Sequence, residues 1–209
     1  SWVMIAMLLT MFMIPAIPGA PHEIRGNGEM FPLNGPTWSL WFEYIGNILY
    51  ALVIRRFSTK ILAVLCAVLG LAHAWFFVGN ISGYDMVGVG WTIDSVNFWG
   101  GLVRMMFPFT LGMLIARNFK PRKIRGAFWC CSLILIASFS VPYIASSGNP
   151  SINSLYEFLC IALIFPVVVW MGACGSSENH MTERINKFLG DLSYPLYIVH
   201  YPIMYIFYK

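Results

Sequence analysis

Charge is what this sequence has least of. Asp, Glu, Lys and Arg make up 11% of its 209 residues, against about 25% in a soluble globular domain. A surface so poor in charge cannot be held in water. The scarcity excludes the one or two soluble domains that the length alone would allow. The short signatures of soluble enzymes are also missing: there is no G-x-S-x-G elbow, Walker loop, G-x-G-x-x-G turn or H-E-x-x-H pair. Gly88, Gly90, Gly100 and Gly101 do not compose a phosphate loop. There is no repeat at a fixed period and no low-complexity tract. The five cysteines (Cys66, Cys130, Cys131, Cys160, Cys174) show neither C-x-x-C nor zinc spacing. They fall in or beside apolar segments, where cysteine packs as a small hydrophobe, so no metal is expected. The opening residues lack an initiator Met, a basic n-region and a small-residue cleavage site, which excludes a signal peptide. They read as a chain entered partway through a helix, with a segment upstream.

What is present is apolar. Hydrophobic residues make up 58% of the chain, against about 45–50% in a soluble domain. A helix needs ~20 apolar residues to cross a ~30 Å hydrocarbon core. Seven stretches qualify as candidates: residues 2–17, 36–54, 61–78, 96–116, 126–144, 154–173 and 189–208. The first is short and reads as truncated. The expected fold is all-α: a polytopic transmembrane helix bundle of about seven spans in a lipid bilayer. Residues 1–209 form one transmembrane domain, expected to lack its N-terminal helices.

The formal charge of +4 reports topology rather than a nucleic-acid partner. Arg55, Arg56 and Lys60 follow the second span, Arg117, Lys120, Arg122, Lys123 and Arg125 the fourth, and Arg184 and Lys187 the sixth. These alternate connections face one side, cytoplasmic by the positive-inside rule. The opposite loops, 19–35, 79–95 and 145–153, are rich in Gly, Pro and Asn. Trp38, Trp41, Trp75, Trp91 and Trp99 fall near that outer boundary, where indole rings settle.

Charges at membrane depth need a partner or a task. With ~1.5 Å of rise per residue, Glu43 lies ~10 Å below the outer surface and Arg104 ~12 Å. His200 comes out ~14 Å down and His73 ~12 Å. Four ionisable side chains from four spans thus share one layer. Glu43 and Arg104 are either a structural ion pair or a polar site that binds an anion or polarises a carbonyl. His73, beside Trp75, Phe76 and Phe77, reads as a hydrogen-bonded packing residue. Tyr194, Tyr197, Tyr201, Tyr205 and Tyr208 make one stripe on the last span, with His200 at its edge. Pro195 and Pro202 break that helix's ladder, so freed carbonyls are expected to face the interior. Before the second span, Pro36 suits a helix start, Asn34 or Gly35 a cap, and the exposed amides an anion. His22, Glu23 and Arg25 have no metal-ligand spacing and read as solvated.

Two segments carry a family resemblance. Asn34-Gly-Pro-Thr-Trp-Ser-Leu-Trp-Phe-Glu43-Tyr resembles the N-x-x-W-S-L-x-x-E segment of the acyltransferase 3 family. Leu189-Gly-Asp-Leu-Ser-Tyr-Pro-Leu-Tyr-Ile-Val-His200-Tyr-Pro is similar to the family's closing G-x-x-S-Y-x-x-Y-x-x-H-x-P helix. Gly100-Gly-Leu-Val-Arg104 and Pro108-Phe-x-x-Gly112 resemble its middle segment. The resemblance implies a membrane enzyme that moves an acyl group, commonly acetyl, from acyl-CoA to a hydroxyl of a cell-surface or exported carbohydrate. It holds no bound cofactor, acyl-CoA being a co-substrate, and it sits in the bacterial inner membrane. The implied catalytic set is Glu43, Arg104 and His200, with Asn34, Trp38, Ser39 and Tyr197 binding substrate. Arg104 is expected to stabilise the oxyanion, and Glu43 to orient the acceptor. The family's Arg-x10-His motif, which carries its presumed base, has no match. The chain as it stands is therefore expected to be inactive alone. A transporter or channel fragment and a non-catalytic membrane scaffold stay open as other readings.

Overall fold

The structure is a computed structural model that describes residues 1–144, 151–176 and 180–207, without the side chain of Tyr205. Tyr208 and loop residues 145–150 lie outside these. Seven helices occur among the described residues: α1 (Trp2–Met11), α2 (Thr37–Leu52), α3 (Thr59–Val78), α4 (Ser95–Asn118), α5 (Ala127–Phe139), α6 (Ile152–Ala173) and α7 (His180–Phe207). Extended pairing among them is limited to two isolated bridges, Glu29 with Thr92 and Ile124 with Gly175. The expected all-helical fold is thus observed, with each helix inside or overlapping its predicted span.

Among the described residues, three helices, α3, α4 and α6, are long and apolar enough to cross a membrane. α6 has a mean hydropathy of 2.1, yet only 6% of its apolar window is buried within the protein. A surface so apolar and so little covered by the chain suits lipid rather than water. Local chemistry sets the helix ends. Ser58 starts α3 by accepting the Ile61 amide at 3.3 Å, and Ser151 starts α6 by accepting that of Ser154 at 3.1 Å. Pro108 and Pro166 each lack an amide donor and could each break a helix. Neither stops its helix. α4 runs through Pro108, and α6 absorbs Pro166 in a π turn, Cys160–Ile164, where the Phe165 amide reaches back five residues to the Cys160 carbonyl.

The last helix departs from the expected boundary. α7 begins at His180, so Arg184 and Lys187 lie inside it rather than in a connecting loop. The reason is local: Glu183 lies in the first turn, where a carboxylate suits the helix N-terminus, 3.6 Å from His180 Nδ1.

The chain divides into two compact units. The first gathers residues 1–45, 89–102 and 179–209; the second gathers 46–88 and 103–178. In the second unit, one end collects the connections that follow α2, α4 and α6. Arg117 donates to the Phe57 carbonyl at 2.5 Å, Arg122 stacks over Trp170 at 5.9 Å, and the Ile124 amide donates to the Cys174 carbonyl at 3.0 Å. The opposite end ties the residues after α3 to the start of α6. There the Ser151 amide donates to Val78, Asn153 Nδ2 to Asp85 at 3.0 Å, and the Val87 amide to Glu157.

In the first unit the loop 16–30 closes on a carboxylate. Glu23 accepts the Gly19 amide at 2.8 Å and also that of Gly28. It is therefore 7% exposed instead of solvated. Those two amides, Gly19 first, hold its carboxyl below the usual value of 4.5. A depressed carboxyl contributes stability above its unfolded value and loses it as the pH falls. Hydrogen exchange across 16–30, corrected for intrinsic rates, should therefore accelerate below about pH 4.5. Glu23→Gln should remove that dependence; an unchanged profile would assign the acid response elsewhere.

Candidate functional site

The first unit brings together most of the residues singled out from the sequence. Its base is the α2 N-terminus, which small residues let other groups approach. A Cβ on Gly101 would meet the Phe42 ring at 2.6 Å, and one on Gly90 the Trp38 ring at 2.4 Å. Trp38 and Trp41 both set their rings edge-on to Phe42, and Phe98 adds a fourth ring 5.9 Å from it. Asp94 and Asn97 brace the start of α4, and Asn97 Oδ1 accepts the Gly90 amide at 2.9 Å. The aromatic knot fixes the rotation of α2, and with it Ser39 and Glu43. These are four residues apart and share a face.

The α2 N-terminus does not offer free amides to an anion. The Thr37, Trp38 and Ser39 amides already donate to Asn34, Gly35 and Pro36 at 3.0, 3.2 and 3.1 Å. Helix α2 also starts at Thr37, one residue after the proline expected to open it.

The last helix docks on this corner, and its prolines explain how. Pro202 has no N–H, so the carbonyl four residues back, at Ile198, loses its intrahelical donor. Asn34 Nδ2 supplies one at 3.0 Å. One freed carbonyl thus faces protein, as the sequence implied. Gly35 sits against the Tyr201 ring, which a Cβ would approach to 3.0 Å. Ser39 Oγ donates to the Pro36 carbonyl at 2.9 Å and pairs with the Tyr197 hydroxyl, which itself lies 3.2 Å from Pro36 O. His200 Nδ1 is 2.6 Å from the Tyr197 carbonyl. A carbonyl only accepts, so that nitrogen carries the proton. Nε2 is left with its lone pair, on an exposed ring.

Asn34, Ser39, Tyr197 and His200 therefore belong to one constellation, with Glu43 one turn along α2, while Trp38 packs on Gly90 and Phe42. The tyrosine stripe divides: Tyr197 joins the constellation and Tyr201 packs on Gly35, whereas Tyr194 is exposed. Arg104 belongs to the second unit, as does His73. The expected common layer is thus distributed over two units, Glu43 and His200 in one, His73 and Arg104 in the other.

Sequence reasoning read His73 as a packing residue. It is fully buried, with its ring 4.6 Å from Phe77 and 5.5 Å from both Phe107 and Phe158. It packs as expected, but neither ring nitrogen has a hydrogen-bond partner. The expectation of a hydrogen-bonded histidine fails because its neighbours are phenyl rings. A nearby signal was available: Gly70, one turn before His73, is what admits the Phe107 ring, to which a Cβ would come within 2.9 Å. The five cysteines are free thiols. No group of three or more His, Cys, Asp or Glu residues able to hold a metal occurs among the described residues.

Apolar helices too long and too exposed for water define a membrane protein, and the corner where α7 meets α2 carries its polar chemistry. The family model described as acyltransferase domain matches residues 2–209. The chain belongs to that family, the acyltransferase 3 family, and is a membrane acyltransferase in the general sense. No curated protein and no solved structure matches it.

Proposed function

We propose that this protein moves an acyl group, acetyl in the first instance, from acyl-CoA to a hydroxyl of a cell-surface or exported carbohydrate or small molecule. The observation that carries the proposal is the constellation of Asn34, Ser39, Tyr197 and His200, assembled from the two motifs that resemble the family. His200 Nε2 takes the acceptor's hydroxyl proton. The oxygen bonds to the acyl carbon, the carbon–sulfur bond breaks, and the proton passes to the departing thiolate. Ser39 and Tyr197, joined through their hydroxyls, line the acceptor side with Trp38 and Asn34. Glu43 orients the acceptor. Arg104 keeps the electrostatic role expected of it, tested by its own variant. Residues 1–209 act as one transmembrane domain, in a bacterial inner membrane, with the basic connections cytoplasmic.

Membranes containing the full-length protein should transfer label from radioactive acetyl-CoA to a glycan acceptor. Glu43→Gln should reduce transfer about tenfold, as expected for one lost hydrogen bond to a charged group. Arg104→Ala should reduce it roughly a hundredfold. Normal transfer in both variants at normal expression would refute the assignments. Solute flux through liposomes without acyl-CoA, and no label transfer, would favour a transporter instead.

A further inference from the structure

The second unit buries more hydrogen-bonding capacity than it uses. Both imidazole nitrogens of His73 and the hydroxyl of Ser154 are buried without a partner, and both residues have 0% exposure. They belong to α3 and α6, which pack on each other. Phe158 links them: its ring lies 5.5 Å from the imidazole, and Ser154 stands four residues earlier on the same face of α6. Buried polar atoms in native proteins are nearly always paired, so orphans on two packed helices call for a partner from outside the chain.

Chemistry narrows the guest. A neutral imidazole offers one donor and one acceptor, and a serine hydroxyl offers both. Carboxylates and phosphates only accept, and an ammonium only donates, so each would leave one of these atoms unmatched. The phenyl rings of Phe77, Phe107 and Phe158 provide nothing to solvate a charge. An uncharged hydroxyl matches all of them. The α6 wall also has a device for yielding: the π turn Cys160–Ile164 follows Phe158 after one residue, and such turns recur at functional sites.

We propose that His73 and Ser154 form a buried site for hydroxyl groups, supplied by trapped water or by a sugar-like polyol. The site does not require acyl transfer to exist.

The test uses the whole protein in lipid nanodiscs, labelled with nitrogen-15 at its histidines. His22→Gln, His180→Gln and His200→Gln, all outside the second unit, assign the His73 signals by difference. Both His73 nitrogens should show hydrogen-bonded shifts and contacts to oxygen-bound protons. Trapped water gives contacts with the water signal that methyl glucoside leaves unchanged. A polyol site gives His73 shifts that titrate with methyl glucoside, and Ser154→Ala weakens that titration about fivefold to tenfold. His73 nitrogens without oxygen-bound proton contacts, and indifferent to methyl glucoside, would overturn the proposal whatever the enzyme's activity. Failure of acetyl transfer with these contacts intact would overturn the acyltransferase reading and leave this site standing.

Discussion

Replacing His200 by glutamine should lower acyl transfer by about 10²–10⁴-fold while leaving the fold unchanged. The ring is exposed, so little packing is lost. Its one described polar contact is Nδ1 to the Tyr197 carbonyl at 2.6 Å, which a glutamine amide can also donate to. What glutamine lacks is the basic lone pair that this bond leaves on Nε2. The variant therefore separates proton acceptance from helix anchoring. Initial rates of acetyl transfer, with membrane insertion and helicity measured in parallel, decide the matter. A rate within a factor of about three of the parent would remove His200 from the chemistry and leave it as an anchor.

The largest stability effect is expected at Gly90. Its φ of +123° is one that side chains rarely adopt, and an added Cβ would sit 2.4 Å from the Trp38 ring. Backbone strain and overpacking each cost about 1–3 kcal/mol. Gly90→Ala should therefore cost roughly 3 kcal/mol, or about 6–12 °C in the unfolding midpoint. Gly112 is the internal control: it is helical, with nothing within 4 Å of an added Cβ. Alanine there should be neutral or stabilising by up to about 1 kcal/mol. Thermal unfolding followed by tryptophan fluorescence reads both, and equal midpoints would refute the close approach at Trp38.

The amphipathic logic of the fold was legible because lipid simplifies it. Apolar runs bounded by Gly, Pro and charge located every helix, and Pro202 announced the freed carbonyl that Asn34 satisfies. Boundaries failed where polar residues favour a helix without being apolar, as at Glu183 and Lys187. The constellation around Ser39 and His200 was half legible. Motif resemblance named its members, but depth counting along separate helices could not assign them to packing units. Counting rise gives height in the membrane and nothing about azimuth, so four residues at one level fell into two groups. The packing of His73 was legible from its aromatic sequence neighbours; its lack of hydrogen bonds was not. Its unpaired nitrogens come from Phe107 and Phe158, which lie 34 and 85 residues further along the chain.

The first unit is built from stretches at the beginning, middle and end of the chain, whereas the second is closed by residue 178. During synthesis the second unit can consolidate while the ribosome is still extending the chain. Asn34 must wait for Ile198, and Ser39 for Tyr197, each across more than 150 residues. Ribosomes that stall before α7 would release a membrane protein whose second unit is made and whose α2–α7 corner is absent. The order of translation thus acts as a safeguard: a chain stalled before α7 lacks both His200 and the Tyr197 carbonyl that holds its ring.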